Sequence, residues 1–293
     1  MNELFREYND CELLEEFEKL QRYKDNKSIT LKRCNVGYKC SNAFFQEERF
    51  NCRTCNLSSS IDYWSRNKDY VIKSSIKYNK DIFGTVQFLN HTPSQYPPNI
   101  ACFVYTLFKT KSVFDPFAGW GDRCVAAMAC DVNYIGIDCN KGLKTCYKDM
   151  IAFYKPYCNS RVKFINKNVQ DVPIETLDFD LVFTSPPFWE DSGMLVENYS
   201  NMKVNKYKEF MDTIFIPLIL ICRSIAKWSC FYIPENMEKY LRRAGLKYNK
   251  VLSYSTMGNK KYQQYNIYCF QHQHRSIPNI LQDNPSRVCV MFS

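Results

Sequence analysis

The sequence predicts an α/β fold, a parallel, doubly wound sheet with helices on both faces, preceded by a small cysteine-containing module. Three observations predict it. Short apolar strand-like runs alternate with helix-like stretches from about residue 112 onward, a glycine turn follows the first run, and polar residues able to do chemistry fall where the runs end.

Ser112-Val-Phe-Asp115 is the first strand, followed by a glycine turn and a small-residue helix from Arg123 to Ala129. Asn133-Tyr-Ile-Gly-Ile-Asp138 is the second strand, and the stretch from Lys141 to Tyr154 forms the next helix. Arg161-Val-Lys-Phe-Ile-Asn166 and Phe179-Asp-Leu-Val-Phe-Thr184 give a third and a fourth strand. From Tyr207 to Lys227 the residues Phe210, Ile214, Leu218, Ile221 and Ile225 recur on one side of a helix. Ser229-Cys-Phe-Tyr-Ile233 is a fifth strand and Asn266-Ile-Tyr-Cys-Phe270 a late one. Ahead of this domain, Leu13, Leu14, Phe17 and Leu20 predict one amphipathic helix, and residues 31–60 read as a loop-rich knuckle. The expected division is residues 1–60 for the N-terminal module and 61–293 for the main domain.

Composition narrows the class. With 293 residues, 45 % of them hydrophobic, the chain can bury one large core. The longest apolar run, Ile214 to Cys222, is interrupted by Pro217 and falls short of the roughly 20 residues of a membrane span. The N-terminus lacks the basic and long apolar stretches of a secretory signal, and the fifteen cysteines are scattered through apolar segments, so the expectation is a soluble intracellular protein with reduced thiols, away from membranes. Charge is uneven. Residues 1–20 carry 2 basic and 7 acidic groups and residues 21–80 carry 13 and 5, a basic block that suits a polyanionic partner as well as a solvated lysine-rich surface.

In a doubly wound sheet, ligands collect at the carboxyl ends of the strands. Gly119 and Gly121 let the first turn bring backbone N–H groups close to a ligand. Asp138 ends the second strand, where an acid can accept ribose hydroxyls. Gln170 and Asp171 follow the third strand, where a carboxylate can accept from an adenine amino group. Jointly these positions describe an adenosine site; singly, Asp138 can be a helix cap and Asp171 a turn residue before Pro173. The phosphate loop of ATPases is absent.

Asp115-Pro-Phe-Ala-Gly-Trp-Gly121, Asp138 and Thr184-Ser-Pro-Pro-Phe188 resemble the signature of S-adenosylmethionine-dependent amino-methyltransferases, the class that modifies exocyclic amines of adenine or cytosine in DNA. His91-Thr-Pro-Ser-Gln-Tyr-Pro-Pro-Asn99 resembles the segment that precedes the cofactor motif in these enzymes, so the similarity covers roughly residues 85–270. The resemblance implies a Rossmann-like class I methyltransferase sheet. It implies S-adenosylmethionine held by Asp115, Pro116, Phe117, Ala118, Gly119, Gly121, Asp138, Cys139, Gln170 and Asp171, and catalysis by Ser185, Pro186, Pro187 and Phe188. The partner it implies is nucleic acid, DNA in preference to RNA, with adenine N6 or cytosine N4 as the target.

An exocyclic amine delocalises its lone pair into the ring, so its nitrogen must be made more nucleophilic and aimed at the methyl group. The Ser185 side chain and the Pro186 carbonyl can accept the two N–H groups, and the consecutive prolines stiffen the backbone that presents them. Phe188 can stack on an extruded base. The chain departs from the family pattern at Trp120, Asp122 and Ser185, and the serine, more typical of cytosine enzymes though not confined to them, leaves the target base open. Trp189, Glu190 and Tyr199 are candidates either for substrate contact or for closing the core. The stretch from Met257 to Tyr265 suits a nucleic-acid strand and an exposed hairpin equally.

The N-terminal cysteines Cys34, Cys40, Cys52 and Cys55 are spaced x5, x11 and x2. Four thiolates can close a structural zinc site, with Lys32, Arg33, Lys39 and Arg53 around it as a recognition element; chance pairing among fifteen cysteines is the rival. Other functions compatible with the motifs are an RNA base-amine methyltransferase, a protein-glutamine methyltransferase and a non-catalytic nucleic-acid-binding relative.

Overall fold

The computed structural model describes residues 3–25, 31–54, 57–174, 178–189, 197–198, 204, 206–257 and 262–272. Seven strands make the main sheet: β1 (Ser112–Asp115), β2 (Asn133–Ile137), β3 (Val162–Ile165), β4 (Phe179–Thr184), β5 (Ala226–Tyr232), β6 (Lys250–Met257) and β7 (Tyr262–Gln271). Their order is β3-β2-β1-β4-β5-β7-β6, and only β7 runs against the rest. The chain therefore winds outward from β1 to β3, then returns to place β4 on the other side of β1. That reversal opens a crevice at the carboxyl ends of β1 and β4.

The register sets what meets there. Val113 faces Leu181 and Phe114 faces Val182, so Asp115 and Thr184 finish side by side. All four of the paired residues are fully buried, as expected of strands covered on both faces. Leu181 and Phe183 enter one core, with residues of α6 (Pro98–Leu107), α7 (Asp122–Ala129) and α8 (Leu143–Tyr154). Val182 enters the other, with the helix over 207–225 (α9) and α10 (Glu235–Arg243). In α9 the turn Met211–Phe215 widens to π geometry just before Pro217, whose ring and missing N–H a regular turn would not accommodate.

The N-terminal helix α1 (Asp10–Asp25) is opened by a capping box: the Asn9 side chain accepts from the Glu12 N–H, and the Glu12 carboxylate accepts from the Asn9 N–H. Its Leu13, Phe17 and Leu20 join the core beneath α6 to α8. Residues 31–60 depart from the expected knuckle, because the 14-residue helix α2 (Tyr38–Asn51) runs through their middle and buries Cys40, Phe45 and Phe50. Three helices follow, α3 (Ser60–Arg66), α4 (Lys68–Tyr78) and α5 (Ile82–Asn90), around a smaller cluster of Leu4, Phe50, Trp64, Val71, Phe83 and Val86. Arg53–Thr54 pairs antiparallel with Glu197–Asn198, which ties this N-terminal region to the chain that follows Phe188. Among the described residues no helix is long and apolar enough to cross a membrane.

Candidate active site

The turn after β1 is held open by two left-handed glycines, Gly119 at φ 59° and Gly121 at φ 79°. Among the described residues the only heavy atom near a Cβ added at Gly119 is the Phe117 carbonyl oxygen, 4.0 Å away, so its side of the turn stays open. Gly121 sits instead against α2, where a Cβ would fall 2.6 Å from the Phe45 ring. Gly121→Ala is expected to destabilise the chain by about 1–3 kcal/mol through overpacking alone, with the strained φ added. Urea denaturation would measure it, and an unchanged midpoint would mean that Phe45 yields freely.

Asp115 does not reach the crevice. Its fully buried carboxylate lies beneath the turn and accepts from Arg123 (Nε 2.7 Å, Nη2 3.2 Å), the Tyr134 hydroxyl (2.8 Å) and the Thr184 hydroxyl (2.7 Å). Thr184 in turn accepts the Phe117 N–H at 3.2 Å, and Arg123 donates to the Phe117 carbonyl at 2.5 Å. One buried acid thus fixes the glycine turn to the last residue before Ser185. Burial opposes the Arg123 charge, but Asp115 outweighs it and holds the guanidinium protonated.

A cavity open at its mouth lies between the two motifs and is walled by residues of both. Pro116, Phe117, Ala118 and Gly119 wall it on one side together with Trp120, and Ser185, Pro186, Pro187 and Phe188 contribute another wall. Asp138 and Cys139 add the end of β2. Asp138 accepts the N–H groups of Gly119 and Asn140, each at 2.9 Å, while Asn166 holds the Asp138 carbonyl. Burial raises the Asp138 pKa, against the lowering pull of those two N–H groups. Burial, followed by the neighbouring Asp138 charge, pushes the Cys139 thiol up to about 12, so it stands there as a neutral side chain. Trp120 is buried in the wall and takes no outward position.

Besides Asp115, two expected positions, Asp171 and Gly121, do not line the cavity. Gln170 lines the cavity, but Asp171 lies outside its wall, exposed in the short turn Val169–Asp171 whose N–H it donates to the Asn168 carbonyl. After β3 the cavity is walled by Lys167, Asn168, Val169 and Gln170. Gly121 shapes the turn from behind.

Asp122, at the start of α7, is a wall residue that sequence reasoning noted only as a departure. It accepts from the Ser41 hydroxyl (2.5 Å), the Gln95 amide (3.1 Å) and the Tyr96 N–H (3.1 Å), joining α2 and the segment before α6 to the glycine turn. Burial pushes its pKa up to about 6, against the lowering effect of Ser41 and of Arg49 and Arg123. A folded pKa raised above the unfolded value near 3.9 contributes stability that is full below about pH 4 and lost as pH rises through 6. Wild type is therefore expected to lose stability relative to Asp122→Asn between pH 4 and pH 7. Denaturation series across that range would show it; a pH-independent difference would contradict it.

Beside Phe188 the wall is aromatic. Phe188 lies 5.5 Å from Tyr232, Tyr232 lies 5.3 Å from Tyr96, and Tyr254 stacks on Tyr265 at 5.3 Å. Tyr96 belongs to the segment His91–Asn99 read from the sequence, but Tyr232, Tyr254 and Phe210 were not singled out for the site, since each comes from a different element and carries no local motif, and Arg33 was expected only as part of a recognition element around the cysteines. The Tyr96 hydroxyl is buried without a partner among the described residues. Trp189 is turned into the core beside Phe210 at 5.8 Å, with its carbonyl taken by Asn236. Glu190 and Tyr199 lie outside the described residues, as does the turn of the β6–β7 hairpin.

The expected zinc site is not supported. Cys40 is buried on α2 with its thiol toward the Leu13 carbonyl, Cys34 meets the Tyr23 hydroxyl at 3.1 Å, and Cys52 lies against the Arg53 carbonyl. Burial pushes the Cys40 thiol up to about 12, against the thiolate that a metal needs. Cys55 lies outside the described residues, and among those described no three potential ligands gather.

No family model matches the chain, and no curated protein does. Among solved structures it is similar to the human methyltransferase 10 domain containing protein, at 10 % identity over 62 % of this chain and 85 % of that one, with TM-score 0.42. The human METTL16 catalytic domain in complex with a MAT2A 3′UTR hairpin gives 11 % identity, 64 % and 74 % coverage and TM-score 0.42. A Pyrococcus horikoshii protein, provisionally described as an RNA methyltransferase, gives 18 %, 61 % and 87 %, and 0.41. Likeness at this level carries neither an activity nor a substrate over to the chain.

Proposed function

We propose that the chain transfers a methyl group from S-adenosylmethionine to an exocyclic amine of a nucleobase, with an unpaired base in RNA as the first substrate and an extruded base in DNA as the second. The observation that carries this reading is the clamp of Asp115, Arg123 and Thr184, which fixes the glycine turn against Ser185-Pro-Pro-Phe188 across one cavity. The residues fit the cofactor: an open glycine turn, an acid at the end of β2 where ribose hydroxyls would lie, and Asn168 to Gln170 beside the adenine position. Bound there, S-adenosylmethionine would supply an electrophilic methyl group, its sulfonium sulfur leaving as a neutral thioether.

The chain's own residues do the rest. The Ser185 hydroxyl and the Pro186 carbonyl accept the amine's N–H groups and hold its lone pair toward the cofactor side, while Phe188 and Tyr232 cover the ring. No dedicated base is needed, because the nitrogen becomes acidic once alkylated and its proton passes to water. RNA stands first because rings grouped with an arginine around one deep opening are the means by which single-stranded bases are taken. The preference for DNA that the motif implied rests on no feature of the described residues.

Transfer of labelled methyl groups to unmodified RNA, DNA and protein, followed by mass spectrometry of the digests, tests the reading. N6-methyladenine or N4-methylcytosine in RNA is expected. Label in DNA alone would reverse the order of the two polymers, label on glutamine would replace nucleic acid with protein, and failure to bind the cofactor would favour a non-catalytic binding protein.

A further inference from the structure

We propose that Arg33 forms a phosphate-binding subsite at the mouth of the cavity and takes the phosphodiester next to the target base. The inference deepens the methyl-transfer reading of the same cavity, on which the nucleotide nature of its ligand rests.

Arg33 comes from a part of the chain remote in sequence from both motifs, yet its side chain lines the cavity and stays exposed at the opening. Its backbone is held on both sides by one residue. Asn99, almost fully buried at the start of α6, donates from its amide to the Lys32 carbonyl (2.7 Å) and accepts from the Cys34 N–H (3.4 Å). A buried asparagine that brackets a single exposed arginine presents that side chain in a set direction. Its guanidinium is steadied further by Tyr38, to whose hydroxyl Nε donates at 3.1 Å and over whose ring it lies at 5.8 Å.

That phenol is neutral, and among the described residues no carboxylate forms an ion pair with Arg33. Both terminal nitrogens thus keep their donors for a ligand, in the fork that matches two oxygens of a phosphate. The other walls at this end, Phe188, Tyr232 and Tyr254, suit a planar ring and offer no charge. A base against the rings places its own backbone at the opening, where the cation stands. A free nucleoside or a glutamine side chain would bring no anion to it, so the subsite selects polynucleotide over both.

Binding of a fluorescent, unstructured mixed-sequence RNA, and of the DNA of the same sequence, would be measured with the full chain as wild type, Arg33→Ala and Arg33→Lys over a series of salt concentrations. For Arg33→Ala the RNA Kd is expected to rise about tenfold and the slope of log K against log salt to become shallower by about 0.7, the share of one single-strand phosphate. Arg33→Lys should keep the slope and lose part of the affinity, because the charge survives and the fork does not. Affinity for S-adenosylmethionine should be unchanged in both. Unchanged RNA affinity and slope in Arg33→Ala would overturn the subsite, as would a wild type that binds neither polymer. Arg33-dependent binding without methyl transfer would keep the subsite and remove the methyl-transfer reading, so the two fail separately.

Discussion

Asp115→Ala is expected to cost about 3–5 kcal/mol of folding stability, the range for removing one partner of a buried ion pair. The cause is what remains behind. Arg123 is 5 % exposed and would keep its charge with no carboxylate beside it, and the Thr184 and Tyr134 hydroxyls would each lose an acceptor. The second consequence is local: the Phe117 N–H and carbonyl are pinned by Thr184 and Arg123, so the glycine turn should loosen and cofactor affinity should fall with stability. Replacing both members, Asp115→Leu with Arg123→Met, should recover part of the stability, because no buried charge is stranded, but should not recover the turn. Urea denaturation and calorimetric titration with S-adenosylmethionine separate the two effects. A loss below about 1 kcal/mol for Asp115→Ala, the range of an exposed pair, would mean that water reaches Arg123 and that the clamp is not what sets the site.

The order of the central elements was legible because each carried its own signal. β4 occupies the run read from its apolar residues, and β1 and β2 end within one residue of the expected positions, since buried parallel strands show as short apolar stretches. The contents of the turns were legible through glycine and proline, whose backbone demands are local. The direction of a side chain was not: Asp115 and Asp138 look alike in sequence, but the first faces Arg123 under the turn and the second lines the cavity. The cysteine spacing drew residues 31–60 toward a metal knuckle, while Tyr38, Phe45 and Phe50 on α2 supplied a helix that buries Cys40. Nor could pattern join Arg33 to Asn99, or Asp122 to Ser41 and Gln95, because those pairs meet only through tertiary packing.

Ser185→Ala is expected to lower kcat by about 10²–10³-fold, the size seen when one preorganised hydrogen-bond partner of a transition state is removed, with cofactor affinity nearly unchanged. Ser185 is half-buried in the cavity wall, and among the described residues its hydroxyl has no hydrogen-bond partner, which leaves it available to a bound amine. The neighbouring hydroxyl provides the contrast. Thr184 is spent on Asp115 and Phe117, so Thr184→Val should weaken cofactor binding first and transfer only as a consequence. Adjacent residues at the end of one strand would then separate two readouts: kcat at saturating cofactor for Ser185, cofactor Kd for Thr184. Equal loss of transfer and of cofactor binding in Ser185→Ala would place its hydroxyl in the cofactor pocket and leave the Pro186 carbonyl as the amine's acceptor.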